Sequence, residues 1–324
     1  MQRICKFGEN KSVRSKPVSY LYGVPKGWEI LSLVINQISN VKHLILLLAS
    51  FLVIGCLNAQ TRDTIKYKSL PEGDLYLEVL YPEGIDTATV SLPAALFFFG
   101  GGWNGGLRSH FEPQAEYLAN QGMIAILADY RTRTSHGTSP FVSLIDAKSA
   151  VRWVRSHGAD LGIDVNRLAV GGGSAGGHLA AATALCPDYN DTTDDLSVSS
   201  IGNALLLFNP VIDNGPGGYG FERIGEAFPD FSPLHNIRKG APPTLFQIGS
   251  NDRLIPVATA EYYRTVMEKV GSRCDLLVYP EGKHGFFNPK NKRFYQQTVL
   301  AMDAFLVSLG YLRPEDERDL SGKQ

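Results

Sequence analysis

Ser174 sits in "LAVGGGSAGGHLAA", with Gly172 and Gly176 two residues to either side. The pattern Gly-x-Ser-x-Gly suits a strand, a turn too tight for side chains, and then a helix. Neighbours carrying a Cβ would collide at such a corner, while the serine hydroxyl stands exposed on it. The helix that follows would set the Ala175 N–H beside a developing negative charge. Two partners lie downstream. Asp252, in "IGSNDRLIP", follows the apolar run "PTLFQ", and His284, in "YPEGKHGFFN", follows "DLLVYP". Serine, then acid, then histidine, each just past a strand, is an order that serves nucleophilic acyl transfer. Each residue also has a plainer role open to it. The glycines would serve an ordinary strand–helix turn, Asp252 a cap and His284 the surface.

A second glycine cluster, "LFFFGGGWNGG" at 96–106, ends an apolar run. Gly100, Gly102 and Gly105 match the G-x-G-x-x-G spacing of a dinucleotide-binding turn, and Asp129 follows at the end of "IAILAD". Against a phosphate site, "LRSHFEP" separates the glycines from the first convincing helical residue, near Pro113. A phosphate there would lack a helix N-terminus. His110, His136, His157 and His235 have no strand-end setting, and His178 reads as a packing or hydrogen-bonding residue one turn past Ser174. No spacing of metal ligands is present, so neither a metal nor a cofactor is expected.

Strands and helices alternate around these residues. "DLYLEVLYP" (74–82), "AALFFF" (94–99), "MIAILADY" (123–130), "RLAV" (167–170), "ALLLFNPV" (204–211), "PTLFQIGS" (243–250) and "DLLVYP" (275–280) read as strands. Helices are expected over 113–122, 143–162, 178–185, 257–271 and 293–310. The strands are mostly continuous apolar runs, as strands buried on both faces are. That pattern argues for an α/β fold: a mainly parallel central sheet with helices on both faces. Residues 187–200 and 213–240 break the rhythm and belong above the strand ends, where such folds shape a ligand pocket.

Taken together, "FFFGGGW", "ADYRT", "GIDVNRLAV", "GGGSAGGHLAA", "GSNDRLIP" and "GKHGF" resemble the hormone-sensitive-lipase-like and carbohydrate-esterase branch of the α/β-hydrolases. The resemblance runs from about residue 65 to 310. It implies the α/β-hydrolase fold, with Ser174 as nucleophile, His284 as general base and acid, and Asp252 as the orienting carboxylate. Gly101, Gly102 and Ala175 would supply the oxyanion-hole N–H groups. Many relatives carry histidine before the three glycines, where this chain has Phe99, so something else must brace the loop; Trp103 and Asn104 are the first candidates. "SPLHNIRKGAPPTLFQIGSND" resembles small bacterial esterases that remove acetyl or feruloyl groups from polysaccharides. A serine esterase acting on small acyl groups of sugars is therefore expected, with Trp103, Tyr219 and Phe221 as an aromatic wall for substrate or as ordinary packing. The alternatives are a peptidase of the prolyl-oligopeptidase type, a nicotinamide-dependent oxidoreductase and a non-catalytic binding protein.

The chain has 324 residues and a formal charge of −1, which gives no reason to expect nucleic acid. Near its start, Lys42 and His43 precede the apolar run Leu44–Ile54, too short to span a bilayer but suited to a signal peptide. Two exits fit: "VIGC" with a lipidated Cys56, whose only membrane contact would be that anchor, and cleavage after Ala59. Translation is expected to start at Val41, with residues 1–40 outside the natural product, 41–59 the signal and 60–324 one domain. An exported, periplasmic or lipid-anchored protein follows, with a net charge of −6 after loss of seven basic and two acidic residues. Cys186 and Cys274 remain, either bridged or as two buried thiols. N-terminal mass spectrometry of the unprocessed natural product is expected to find no peptide from residues 1–40; such a peptide would disprove the later start.

Overall fold

The computed structural model describes residues 61–318, together with Gln37. The leader, its two exits and the expected start therefore lie outside the described residues. Among the described residues, eight strands form one sheet: β1 (Arg62–Lys68), β2 (Leu75–Leu80), β3 (Leu92–Phe98), β4 (Ile124–Ala128), β5 (Ile163–Gly173), β6 (Ala204–Phe208), β7 (Thr244–Gly249) and β8 (Cys274–Tyr279). Their order is β1-β2-β4-β3-β5-β6-β7-β8. β2 runs antiparallel to both its neighbours, and all later pairings are parallel.

The apolar runs are long because both faces are covered. Along β3, Ala94, Leu96 and Phe98 enter one core while Ala95 and Phe97 enter the other. The five longer helices are α1 (Glu112–Asn120), α2 (Pro140–Ser156), α3 (Ala175–Leu185), α4 (Val257–Lys269) and α5 (Lys292–Ser308). Residues of α2, α3 and α4 pack into the first core, and those of α1 and α5 into the second. The expected architecture is present, and the registers explain its use. Phe98 pairs with Gly172, Gly173 with Phe208, Phe208 with Gln247 and Gly249 with Tyr279. Those pairings bring the carboxyl ends of five parallel strands to one edge. β3 lies between β4 and β5, so the connections after β3 and after β4 run in opposite directions across the sheet, and a crevice forms at such a switch.

Several boundaries differ from expectation. The helix expected over 143–162 runs Pro140–Ser156; proline starts it, since a first-turn N–H needs no partner. Residues 157–162 form turns instead, and β5 begins at Ile163, four residues before "RLAV". β1 was not legible. Its sequence RDTIKYK buries only Tyr67, because it is an edge strand facing solvent along most of its length. Cys186 and Cys274 are free and buried, and burial pushes both thiols up to about 12.

All eleven residues of α3 are buried, and its last turn carries no cation of its own. The carbonyls at its C-terminus and those of the residues just beyond it take donors from elsewhere. Lys148, itself buried, donates to the carbonyls of Cys186 at 2.6 Å, Pro187 at 3.2 Å and Asp188. Arg238 donates to those of Leu185 and Ala184. Lys148→Met would leave these buried acceptors unpaired, at a cost of about 3 kcal/mol. The thermal midpoint by circular dichroism should fall by roughly 6–12 °C; an unchanged midpoint would show that the cap carries no stability.

Candidate active site

β5 ends in the turn that carries Ser174. The serine adopts φ 53° and ψ −120°, a strained conformation for a residue with a side chain. Three backbone bonds hold it there. Its N–H donates to Phe208 O at 3.0 Å, and its carbonyl accepts from Val211 and His178, each at 3.0 Å. The glycine two residues on is obligatory, since a Cβ on Gly176 would run into the carbonyls of Phe98 and Phe99. Strand β3 and helix α3 thus approach backbone to backbone at the turn.

His284 comes to this serine from the loop after β8. Its Nε2 lies 2.9 Å from Ser174 Oγ, and its Nδ1 lies 2.8 Å from Asp252 Oδ2. The Asp252 side chain is fully buried, while about a quarter of the His284 side chain reaches solvent. Asp252 Oδ1 accepts from the N–H groups of Leu254 at 2.9 Å and Ile255 at 3.0 Å. Burial alone would raise this carboxyl, but the His284 hydrogen bond, the backbone donors and the charge of His284 outweigh it and hold it below the ordinary carboxylate value. An ionised Asp252 fixes the proton on Nδ1 and leaves the Nε2 lone pair facing the serine hydroxyl. Residues distant in sequence by 78 and 32 positions therefore meet as one hydrogen-bonded chain.

Gly101 and Gly102 line the same cleft, which holds about 340 Å³. Among the described residues, the bonds of their loop draw on their carbonyls and not their N–H groups. Asn104 N–H donates to Gly101 O at 3.0 Å, and Arg223 Nη1 to Gly102 O at 2.5 Å. Ala175 opens α3, buried behind Ser174. Larger hollows lie elsewhere. One of about 440 Å³, bounded by Lys68, Arg152, Asp191 and Asp194, is walled by side chains already ion-paired to one another or to Asp146. It offers no activated nucleophile.

The aromatic wall is corrected in two of its three members. Trp103 is buried, at φ 59°, with its ring against His178, Phe231 and Tyr219. It anchors the glycine loop from below. Phe221 packs on Phe228 and does not line the cleft. Tyr219 does line it. The brace that stands in for the missing histidine is spread over several contacts. Phe99 stacks on Tyr130 with centroids 4.1 Å apart, and Tyr130 Oη donates to Phe99 O at 2.7 Å. Beyond the glycines, the carbonyls of Trp103 and Asn104 accept from Arg133 and Thr134 at 3.0 and 2.7 Å.

The dinucleotide alternative fails on geometry. Asp129, needed for a ribose, is paired with Arg108. A short 3₁₀ turn, Arg108–Phe111, stands between the glycines and α1. His178 is buried with Nε2 3.0 Å from Phe231 O, as its packing role requires, and burial lowers it to about 3. The expectation missed His110, Leu254, Phe287 and Asn209, all in the cleft wall. Asn209 is the most telling. It has φ 37°, its Oδ1 accepts from Gly285 N–H at 3.0 Å, and its Nδ2 faces His284 Nε2 at 3.5 Å. A polar residue ending the apolar strand "ALLLF" was the available signal.

An open α/β sheet with a serine elbow and a histidine–carboxylate pair at one edge defines the α/β-hydrolase class. Residues 77–214 match the BD-FAE family, and residues 219–310 match the Dienelactone hydrolase family. Esterase 2 of Thermogutta terrifontis, phosphorylated by paraoxon, shares 40% identity and a TM-score of 0.74, covering 78% of this chain and 96% of that one. "Esterase LipC" of Mycobacterium tuberculosis is 30% identical over 62% of this chain and 55% of its own length. An "Acetylxylan esterase" of Xylanibacter ruminicola is 27% identical over 78% of this chain and 52% of its own. The chain spans about half the length of these two curated relatives. It belongs to the α/β-hydrolase esterases, in the hormone-sensitive-lipase-like and carbohydrate-esterase branch.

Asn209→Ala would free the Gly285 N–H and loosen the histidine loop. Loss of about 1.4 kcal/mol of positioning corresponds to a tenfold fall in kcat for nitrophenyl acetate. Unchanged turnover would separate Asn209 from the histidine's placement.

Proposed function

We propose that the protein is an exported serine esterase that removes acetyl or other small acyl groups from sugars or polysaccharides through an acyl-enzyme. The observation that carries this is the chain Ser174–His284–Asp252, closed at 2.9 and 2.8 Å with the carboxylate buried. His284 takes the Ser174 proton as the hydroxyl attacks the ester carbonyl. Asp252 stabilises the imidazolium that forms. The N–H groups of Gly101, Gly102 and Ala175 receive the oxyanion, each worth roughly 3–4 kcal/mol in comparable sites. The alcohol leaves with the proton from His284, and water then hydrolyses the acyl-serine by the same route.

Three observations support the covalent route and the small acyl group. The structural relative is phosphorylated by paraoxon, a reagent that esterifies a nucleophile. The same esterase is described with propionate and with butyrate bound. The cleft at Ser174, at about 340 Å³, suits a short acyl chain rather than a lipid tail. The acetylxylan esterase among the relatives favours a carbohydrate alcohol. Export rests on the apolar run Leu44–Ile54 and the processing points after it.

Ser174→Ala should lower kcat on nitrophenyl acetate at least about 10⁴-fold while the protein stays folded. Wild-type kcat/KM should decline along a series of nitrophenyl esters beyond butyrate, and acetylated xylan should be deacetylated. Near-normal turnover by the alanine variant would refute the nucleophile, and a preference for long-chain esters would refute the acyl-group assignment.

A further inference from the structure

Tyr219 lies in the segment between β6 and β7, half-buried, and its hydroxyl hangs over the glycine loop. A Cβ on Gly102 would stand 2.6 Å from that hydroxyl, so only glycine lets the two approach. The ring is held from several sides. The Trp103 ring lies at 5.9 Å, the Arg223 guanidinium stands 5.4 Å from the ring centroid, and Asn214 Nδ2 donates to the Tyr219 carbonyl at 2.8 Å. Arg223 also lies over Trp103 and donates to Gly102 O, so one cation ties the tyrosine to the loop. With its ring engaged by Trp103 and Arg223, Tyr219 is poorly placed to stack on a sugar. What it offers the cleft it shares with Ser174 is its hydroxyl, which has no hydrogen-bond partner among the described residues.

We propose that Tyr219 donates a hydrogen bond from its hydroxyl to the substrate oxygen that becomes negatively charged, adding a side-chain donor to the backbone N–H groups. This rests on the acyl transfer proposed above. As the Ser174 Oγ–carbon bond forms, the carbonyl electron pair moves onto oxygen and the serine proton passes to His284 Nε2. Tyr219 keeps its own proton, and its hydrogen bond shortens as the charge grows. The pair returns when the tetrahedral species collapses and the alcohol departs with the proton from His284. A donor already aimed at the developing charge lowers the barrier without tightening substrate binding.

The test compares wild type, Tyr219→Phe and Ser174→Ala on nitrophenyl acetate, with binding of a trifluoromethyl ketone as a second readout. That ketone adds the serine and carries the oxyanion. In Tyr219→Phe, kcat and kcat/KM should both fall about 100-fold, the low end for loss of one oxyanion donor. KM should stay within about twofold, affinity for the ketone should fall in parallel, and the melting temperature should hold. A kcat within twofold of wild type, or a rise in KM alone, overturns the role of Tyr219 while leaving the serine mechanism standing. A wild type that fails to hydrolyse the ester, or that does not need Ser174, overturns both.

Discussion

Everything at the site depends on one backbone constraint, the reversal at Ser174. A residue with a side chain is held at φ 53° where an extended strand must become a helix within one step. Such strain costs of order 1–3 kcal/mol and persists only where surrounding structure over-determines it. Here β6 and the residues just after it supply the restraint through Phe208 O and Val211 N–H, and the carbonyls at the end of β3 press against Gly176. The sheet thus does more than carry the elbow: strands on both sides of β5 clamp it. The same clamp holds the hydroxyl 2.9 Å from His284 Nε2.

The helix that begins at this turn raises a second problem, which the fold solves with distant cations. α3 has no exposed face, so water does not reach its C-terminal carbonyls. Lys148 from α2 and Arg238 from the segment before β7 do so instead. A buried lysine would be costly alone, but three carbonyl acceptors replace its lost water. The nucleophile is therefore secured at one end of α3 by backbone contacts and at the other by borrowed charge.

The glycine loop follows the same logic of borrowed support. At the position before the glycines this chain stacks Phe99 on Tyr130, and it anchors the loop through Trp103, Arg223 and Thr134. Tyr130 and Thr134 come from the segment after β4 and Arg223 from the segment between β6 and β7, while Trp103 belongs to the loop itself. Gly101 and Gly102 have their carbonyls occupied and their N–H groups unspent among the described residues, the division that an oxyanion site needs.

The chemistry was legible in the sequence because it is written locally. Ser174 between its glycines, and Asp252 and His284 each one turn past an apolar run, announce strand-end loops, and strand alternation announces the sheet. Composition and periodicity also foretold burial on both faces. What only the tertiary structure decided is everything set by contacts between segments. Trp103 and Phe221 look like substrate contacts in one dimension, since an aromatic beside a glycine loop has no mark saying which way it points. Packing turned Trp103 inward and left Tyr219 over the cleft. Asn209 is marked only as a polar residue at the end of an apolar strand, and its role depends on Gly285, 76 residues away. β1 escaped notice because an edge strand buries too little for its sequence to show a period. Local spacing determines which residues are able to react; the register of the sheet and the packing of loops on one another determine which of them meet.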